Sequence, residues 1–570
     1  MRNIRWQLLI ALGGIILIIG LLLGQAPVME MTSPEPVSGG VYAEGVIGEI
    51  SRLNPVLDVY SIIDRSIDQL LYDSLVRFDS RGLPEPELAA SWSISADATL
   101  YTFSLRKDAR WHDGEPVTAD DVIYTISKLQ DDDYPGPEDL REFWKEINVI
   151  RLDEYTVQFQ LPEPYAPFLD YLSMGLLPEH LLRGVSAADL IDHPFNLRPV
   201  GSGPFQLDRF LQDDGKITGV QLTAFNDYYG QVPFLERIDF RLFPNDEDAL
   251  AAYYSGEIQG IGDVGTGIID RVLQETSLNL YSLPLPKVTI VFLNNQHPQK
   301  KFFAEKEFRM ALLLAINRGW IINEVMDGQG VIATGPILPA SWAFSPALAP
   351  IPFDPDQAAA LLTGLGWEIP EGATPGEPEY LRTQEDQPLS FELAYPDDQD
   401  FPQIAGMLEQ SWERIGIEVR LTPVAPEELM ADYLEPRDYE AVLTTLDLSR
   451  YPDPDPYPFW HDTQIETGQN YAGYDDRNSS LWLEAARTTP DSARRAELYR
   501  NFQHRFQDQV PSLLLFYPVY NYAIDGQVHG VSIGPILDPG QRFEHANEWY
   551  LMARVSRQLE AQEATGSEIP

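Results

Sequence analysis

The chain contains no cysteine. That excludes disulfides, thiolate zinc, iron–sulfur clusters and cysteine nucleophiles. It also excludes lipidation on an N-terminal cysteine. Positive charge is scarce: 40 Lys and Arg stand against 87 Asp and Glu, a formal net charge of −47. Such a surface repels phosphate backbones, so nucleic acid is not a partner, and it argues against electrostatic docking on an anionic membrane. A cationic ligand or a basic partner is compatible with it. The plainer reading is a heavily solvated acidic surface. The 8 His are scattered, with no H-E-x-x-H and no paired-His helical spacing, so no metal site is expected. Gly201-Ser202-Gly203 lacks the Gly-x-Ser-x-Gly of a nucleophile elbow and reads as a tight turn. No period of about 20–50 residues recurs, which excludes a solenoid.

One apparent motif fails on its surroundings. Gly260-Ile261-Gly262-Asp263-Val264-Gly265 matches the dinucleotide fingerprint as text. A Rossmann unit also needs an acidic residue about 20 positions on, to hold the ribose. Residues 282–287, SLPLPK, contain none. A glycine-rich loop is the better reading, and no cofactor is expected.

What is present is more specific. Residues 103–124, FSLRKDARWHDGEPVTADDVIY, read as strand, turn and capped helix. Tyr101, Phe103 and Leu105 alternate with polar residues, as in a half-buried strand. Residues 112–116, HDGEP, are turn chemistry, with His112 a structural residue rather than a ligand. Thr118 is a good N-cap and Asp121 completes a capping-box-like pair. Val122, Ile123, Ile126 and Leu129 follow at helical spacing.

At the N-terminus, Arg2 and Arg5 precede an uncharged run at 6–24, near the ~20 residues a bilayer needs. The basic flank favours an outward-facing remainder. Residues 22–25, LLGQ, resemble a lipobox with Gln where the lipidated Cys belongs, and Pro27 would obstruct cleavage after Ala26. The expectation is an uncleaved anchor rather than a removed signal, followed by a short tether to Gly39.

The 570 residues, 44% hydrophobic, are ample for large cores. Beyond the tether, short β-prone runs alternate with amphipathic helices, an α/β pattern. Strands are predicted at 156–161, 238–243, 288–293, 389–394 and 416–422. Helices are predicted at 304–317, 355–365 with Asp354 as cap, 403–415 and 493–507. Residues 369–387 read as an exposed loop and 556–570 as a frayed tail. Residues 283–287 and 511–512 each lead into a strand and have the character of crossovers.

Residues 447–462, DLSRYPDPDPYPFWHD, form an acidic aromatic loop. Asp453 and Asp455 could be read as a glycosidase pair. Alternating Pro452, Pro454, Pro456 and Pro458 instead hold the segment extended, making those Asp residues turn and cap formers.

Several stretches resemble, in family order, the extracytoplasmic solute-binding proteins of peptide-type ABC importers. They are 39–45 (GGVYAEG), 53–56 (LNPV), 72–76 (YDSLV), 86–92, the 103–124 string, 200–205 (VGSGPF), 255–258 (SGEI), 309–318 (RMALLLAINR) and 470–474 (NYAGY). The resemblance implies a two-lobed periplasmic-binding-protein fold, type II, of the large cluster with an extra subdomain, its lobes joined by two hinge strands. Lobe I would hold 39–284, with the subdomain at about 61–179; lobe II would hold 285–510; 511–555 would return to lobe I. It further implies a monomer without catalytic residues that captures a peptide and delivers it to importer membrane subunits. Asp447 would hold the peptide α-ammonium, although Thr444 stands where members often have Trp. Tyr451, Trp460 and Tyr471 are the further candidate ligand contacts. An oligosaccharide binder of the same fold, or a secreted hydrolase using Asp453 or Asp455, are the alternatives.

Overall fold

The computed structural model describes residues 34–79, 82–374, 380–398, 400–448 and 453–555. The apolar run at 6–24, Tyr451 and the tail at 556–570 lie outside these residues. Among the described residues, no helix is long and apolar enough to cross a membrane. The chain divides into two compact units. In the smaller, the strand Pro34–Val37 pairs antiparallel with Met552–Val555. The larger, Gly39–Leu551, carries everything that follows.

The 103–124 string folds as its local chemistry dictates. Strand Leu100–Leu105 buries Tyr101, Phe103 and Leu105, and Gly114 takes a φ of 93° in the turn. The capping box forms at the helix Ala119–Leu129, with the Thr118 N–H donating to Asp121 Oδ2 at 2.8 Å. Val122, Ile126 and Leu129 are buried beneath it. The strand lies in a four-stranded antiparallel sheet, in the order Ala89–Ile94, Leu100–Leu105, Thr156–Gln160, Asn148–Asp153. Phe103 meets Phe159 edge-on at 5.6 Å across it.

His112 joins this string to the Gly201-Ser202-Gly203 turn. Its Nδ1 accepts the Gly201 N–H at 3.0 Å, and Nε2 lies 3.1 Å from the Gly203 carbonyl. These partners assign the proton to Nε2. Burial pushes its pKa down to about 4, so the ring is a neutral structural clamp. The turn sits so close to the helix Ile62–Leu71 that a Cβ on Gly201 would lie 1.8 Å from the Leu71 carbonyl oxygen. Gly201→Ala should therefore lower unfolding stability by about 3 kcal/mol. Urea denaturation checks this; a change below about 1 kcal/mol would mean that the turn relaxes freely.

The fingerprint-like glycines serve packing. A Cβ on Gly260 would meet Tyr42 Oη at 1.9 Å. Gly260–Ile261 is a short strand squeezed between Val41–Ile47 and Ser512–Asp525.

A twelve-stranded sheet runs through both lobes, ten of its strands along one hydrogen-bonded path. In the second lobe, Glu418–Val424, Ser390–Pro396, Ala441–Asp447 and Lys287–Leu293 lead to the long strand Ser512–Asp525. In the first, Gly260–Ile261, Val41–Ile47, Arg237–Phe243, Lys216–Ala224 and Phe205–Asp213 continue it. Lys287–Leu293 is buried on both faces. Val288, Ile290 and Phe292 enter one apolar core, and Val291 and Leu293 the other, as a period of two requires.

The lobes exchange chain at two neighbouring places. Strand Leu278–Pro284 of the first lobe runs through Leu285 and Pro286 into Lys287–Leu293 of the second. On the long strand, 512–516 pair with Lys287–Leu293 and 519–525 with Leu278–Pro284. The Leu285 N–H donates to the Pro518 carbonyl at 2.8 Å. Pro284, Pro286 and Pro518 have no N–H to give a ladder, so the sheet divides there. Along this strand the ladder changes partner at 517–518. That strand is continuous, and only its hydrogen-bond partners reveal the changeover.

The 309–318 motif acts at the start of the same strand. Arg309 donates to the carbonyls of Phe303, Gln509 and Val510 at 2.6–2.8 Å. It thereby caps the helix Ser492–Gln509, which ends on Val510 at a φ of 45°. Arg318 donates to the carbonyls of Ala333, Leu514 and Ile351. Both arginines are buried, and their partners are neutral oxygens rather than carboxylates.

Candidate ligand cleft

Asp447 ends the strand Ala441–Asp447, directly opposite Lys287. Its carboxylate lies 3.5 Å from Lys287 Nζ, with a side-chain exposure of 54%. The next residue, Leu448, donates its N–H to the Pro286 carbonyl at 2.7 Å. Asp447 therefore stands beside the first crossover. Thr444 and Thr445 precede it; Thr445 faces Thr289, with the hydroxyls 3.4 Å apart.

The acidic aromatic loop departs from this point and is pinned by two arginines. Asp453 forms a buried ion pair with Arg495 and accepts the Tyr499 hydroxyl at 3.1 Å. Asp455 pairs with Arg487 at 2.7 Å. The Arg487 guanidinium lies 3.7 Å from the Tyr457 ring centre, and Tyr457 stacks on His461 at 4.0 Å. Cation, phenol and imidazole thus form one pile. The carboxylates considered as a hydrolytic pair are each engaged by their own guanidinium. Burial raises the Asp453 pKa, with Arg495 opposing it.

The first lobe meets this loop through the turn Ala166–Leu172. Asp170 is buried there, and burial, then the charge of Asp453, push its carboxyl well above the usual range. Tyr165 presents its ring to Arg487 at 5.7 Å.

The other expected contacts sit elsewhere. Trp460 is 1% exposed, inside the second lobe's core. Its ring meets Phe506 edge-on at 4.6 Å and lies 6.3 Å from Phe292. Tyr471 is buried in the same core, with Arg437 over its ring at 4.8 Å and its hydroxyl on Met430 Sδ. Tyr451 is outside the described residues. The structure thus brings together Asp447 and Lys287, and Asp453 and Asp455 with their arginines. It does not bring Trp460 or Tyr471 to Asp447: both are buried in the core.

The sequence reading missed Asp170, Tyr165, Arg487 and Arg495. Arg495 carried a usable signal. It shares a helical stripe with Tyr499, Phe502 and Phe506, all buried, and a cation on an apolar stripe calls for a buried anion. Asp170, inside the apolar 167–172 run PFLDYL, carried the same signal from the other side.

The family described as bacterial extracellular solute-binding proteins, family 5 Middle, matches residues 84–467. The oligopeptide-binding protein AppA of Bacillus subtilis (strain 168) is 27% identical over 533 residues, covering 92% of this chain and 93% of that one. The dipeptide-binding protein of Escherichia coli (strain K12) is 27% identical over 493 residues, covering 82% and 87%. Among solved structures, AppA from B. subtilis in complex with a nonapeptide superposes with a TM-score of 0.66 at 25% identity. It covers 91% of this chain and 100% of that one. HbpA2 from Haemophilus parasuis gives 0.76 at 22% identity, covering 87% and 97%, a likeness of fold.

Proposed function

Since the chain belongs to the bacterial extracellular solute-binding proteins of family 5, we propose that it captures peptides between its two lobes and delivers them to the membrane subunits of an ABC importer. The observation that carries this reading is similarity to an oligopeptide-binding relative along 92% of the chain. Capture works by hinge closure: the lobes rotate about the crossovers at 284–287 and Pro518 and bury the ligand. Backbone hydrogen bonds then hold the peptide as an added strand, leaving side-chain pockets permissive. Affinity depends on how far the ligand favours the closed over the open state. The chain acts as a monomer, performs no chemistry, and is held at the outer face of the membrane by the segment at 6–24. N-terminal sequencing of the membrane-bound protein tests the anchor; a start after Ala26 would make that segment a removed signal.

Asp447 is the candidate for the peptide's α-ammonium. Its position beside the crossover and its exposed carboxylate support that role. Lys287 already shares the carboxylate, and the ligand would add a further cation to it. Once closure excludes water, removing such an anion typically costs about 2–5 kcal/mol. Asp447→Ala should therefore weaken binding of a free-amine peptide by about 30-fold and leave the fold intact. An N-acetylated peptide should bind the wild type weakly and ignore the mutation. Calorimetry of both peptides against both proteins measures the coupling. If acetylation and mutation weaken binding independently, Asp447 does not hold the amine. If no peptide binds, peptide capture is wrong.

A further inference from the structure

Arg487 stands where the two lobes touch. The helix Arg477–Thr488 carries it in its last turn, where the helix dipole favours a cation. That helix lies against the turn Ala166–Leu172 of the first lobe. The guanidinium faces two tyrosine rings. Tyr457, at 3.7 Å, packs on the second lobe's core with Phe292 and Trp460. Tyr165, at 5.7 Å, packs on the first lobe's core with Phe103 and Phe159. Arg487 Nε also donates to Asp455 Oδ2 at 2.7 Å, with side-chain exposures of 26% and 10%. We propose that Arg487 and Tyr165 form a cation–π latch between the lobes, which sets the closed-to-open balance, and with it the affinity for every peptide, without touching the ligand. The proposal rests on the reading of the lobes as closing on a ligand.

Each half of the latch is held within its own lobe. Asp455 and Tyr457 fix the guanidinium, and Tyr457 is itself stacked on His461 at 4.0 Å. On the other side, the Tyr165 ring lies 5.7 Å from Phe143 and 6.1 Å from Tyr171, and those two stack at 3.8 Å. The Tyr165 carbonyl accepts the Tyr101 hydroxyl at 3.2 Å. Both partners are therefore preorganised, so their meeting orders little further side chain. Opening strands neither of them. The guanidinium keeps its carboxylate and one ring, and Tyr165 keeps its aromatic neighbours. What opening forfeits is the second ring over a partly desolvated cation, a contact of modest strength. An ion pair across the lobes would instead leave a buried charge unpaired on opening and hold the protein shut. The cation–π contact biases closure and leaves it reversible. A peptide that binds the closed form has an apparent affinity scaled by the closed fraction, whatever its sequence.

Two variants separate the ring face from the bulk of the side chain. Tyr165→Leu keeps apolar volume against Phe143 and removes the π face; Tyr165→Phe keeps the face and loses only the hydroxyl. Because the chain has no cysteine, Asp213→Cys and Glu413→Cys, both exposed, place one label in each lobe. Single-molecule energy transfer on the full-length chain, without any peptide, reads the closed-to-open ratio. Tyr165→Leu should lower that ratio about fivefold, and Tyr165→Phe should stay within about twofold of wild type. In an Arg487→Gln background, Tyr165→Leu should change it by less than about twofold, since the cation is gone. If Arg487→Gln fails to fold, the Leu and Phe variants decide alone. An unchanged ratio in Tyr165→Leu, an equal fall in Tyr165→Phe, or an undiminished fall in the Arg487→Gln background overturns the latch. A tryptic digest of casein is then added to the labelled protein. A distance that shifts with the digest but ignores Tyr165 overturns the latch, while peptide capture stands. A ratio that follows Tyr165 but ignores the digest keeps the latch and overturns peptide capture. A distance that responds to neither overturns both.

Discussion

Replacing Arg542 with Met should cost about 3–5 kcal/mol of unfolding free energy, because it strands a buried carboxylate. Glu44 lies on the strand Val41–Ile47 with no exposed surface, and Arg542 on the turn Pro539–Phe543 is 2% exposed. The guanidinium reaches Glu44 Oε1 at 2.5 Å and 3.1 Å, and also donates to Ser66 Oγ and the Pro539 carbonyl. Tyr42 donates to the other Glu44 oxygen at 2.8 Å and lies 2.7 Å from the Tyr522 hydroxyl. One knot therefore ties the strand Val41–Ile47, the helix Ile62–Leu71, the long strand and the turn Pro539–Phe543. The large cost belongs to breaking the pair, since an intact buried pair adds little net stability over apolar side chains of similar volume. The double variant Glu44→Gln with Arg542→Met should consequently be more stable than Arg542→Met alone. Urea midpoints of the three proteins decide it. A single variant within about 1 kcal/mol of wild type, or a double variant worse than the single, would show that Glu44 does not depend on Arg542.

Trp460→Ala should cost a similar amount, about 3–5 kcal/mol, and should spare peptide affinity. The ring is almost fully enclosed, edge-on to Phe506 at 4.6 Å and near Phe292. Truncation leaves a cavity that the strand Lys287–Leu293 and the helix Ser492–Gln509 cannot close without moving. Thermal unfolding gives the stability, and peptide titration well below the transition gives the affinity. The opposite pattern, unchanged stability with affinity down tenfold or more, would return Trp460 to the cleft as a ligand contact. Trp460→Phe should recover part of the stability, since an aromatic edge remains against Phe506.

Elements governed by neighbouring residues were legible without coordinates. The capping box at Thr118 and Asp121, the cap at Asp354 and the turn at Gly114 all depend on groups within a few residues of one another. The strands and helices read from periodicity recur in the structure, among them Thr156–Gln160, Lys287–Leu293, Pro355–Gly364 and Ser492–Gln509. His112 and Gly201 were each recognised as turn residues. That one clamps the other was not legible, because 89 positions separate them.

The candidate site was less legible, for a physical reason. Hydropathy states that an aromatic side chain prefers an apolar neighbourhood, whether in a core or in a ligand cleft. Trp460 and Tyr471 satisfy that preference against Phe292, which only folding brings beside them. An Asp in a polar loop looks solvated until its partner is known. Asp453 meets Arg495, from a helix 42 positions on.

The amino-acid sequence by itself determined the α/β class, the family, the caps and turns, and the chemistry ruled out by the missing cysteine. Tertiary structure alone decided which aromatics are core, which carboxylates are paired, and where the long strand leaves one lobe for the other. The first group depends on hydrogen bonds and periodicities within a few residues, where chain connectivity already fixes the neighbours. The second depends on burial and on charge pairing, which belong to whatever surface folding places opposite.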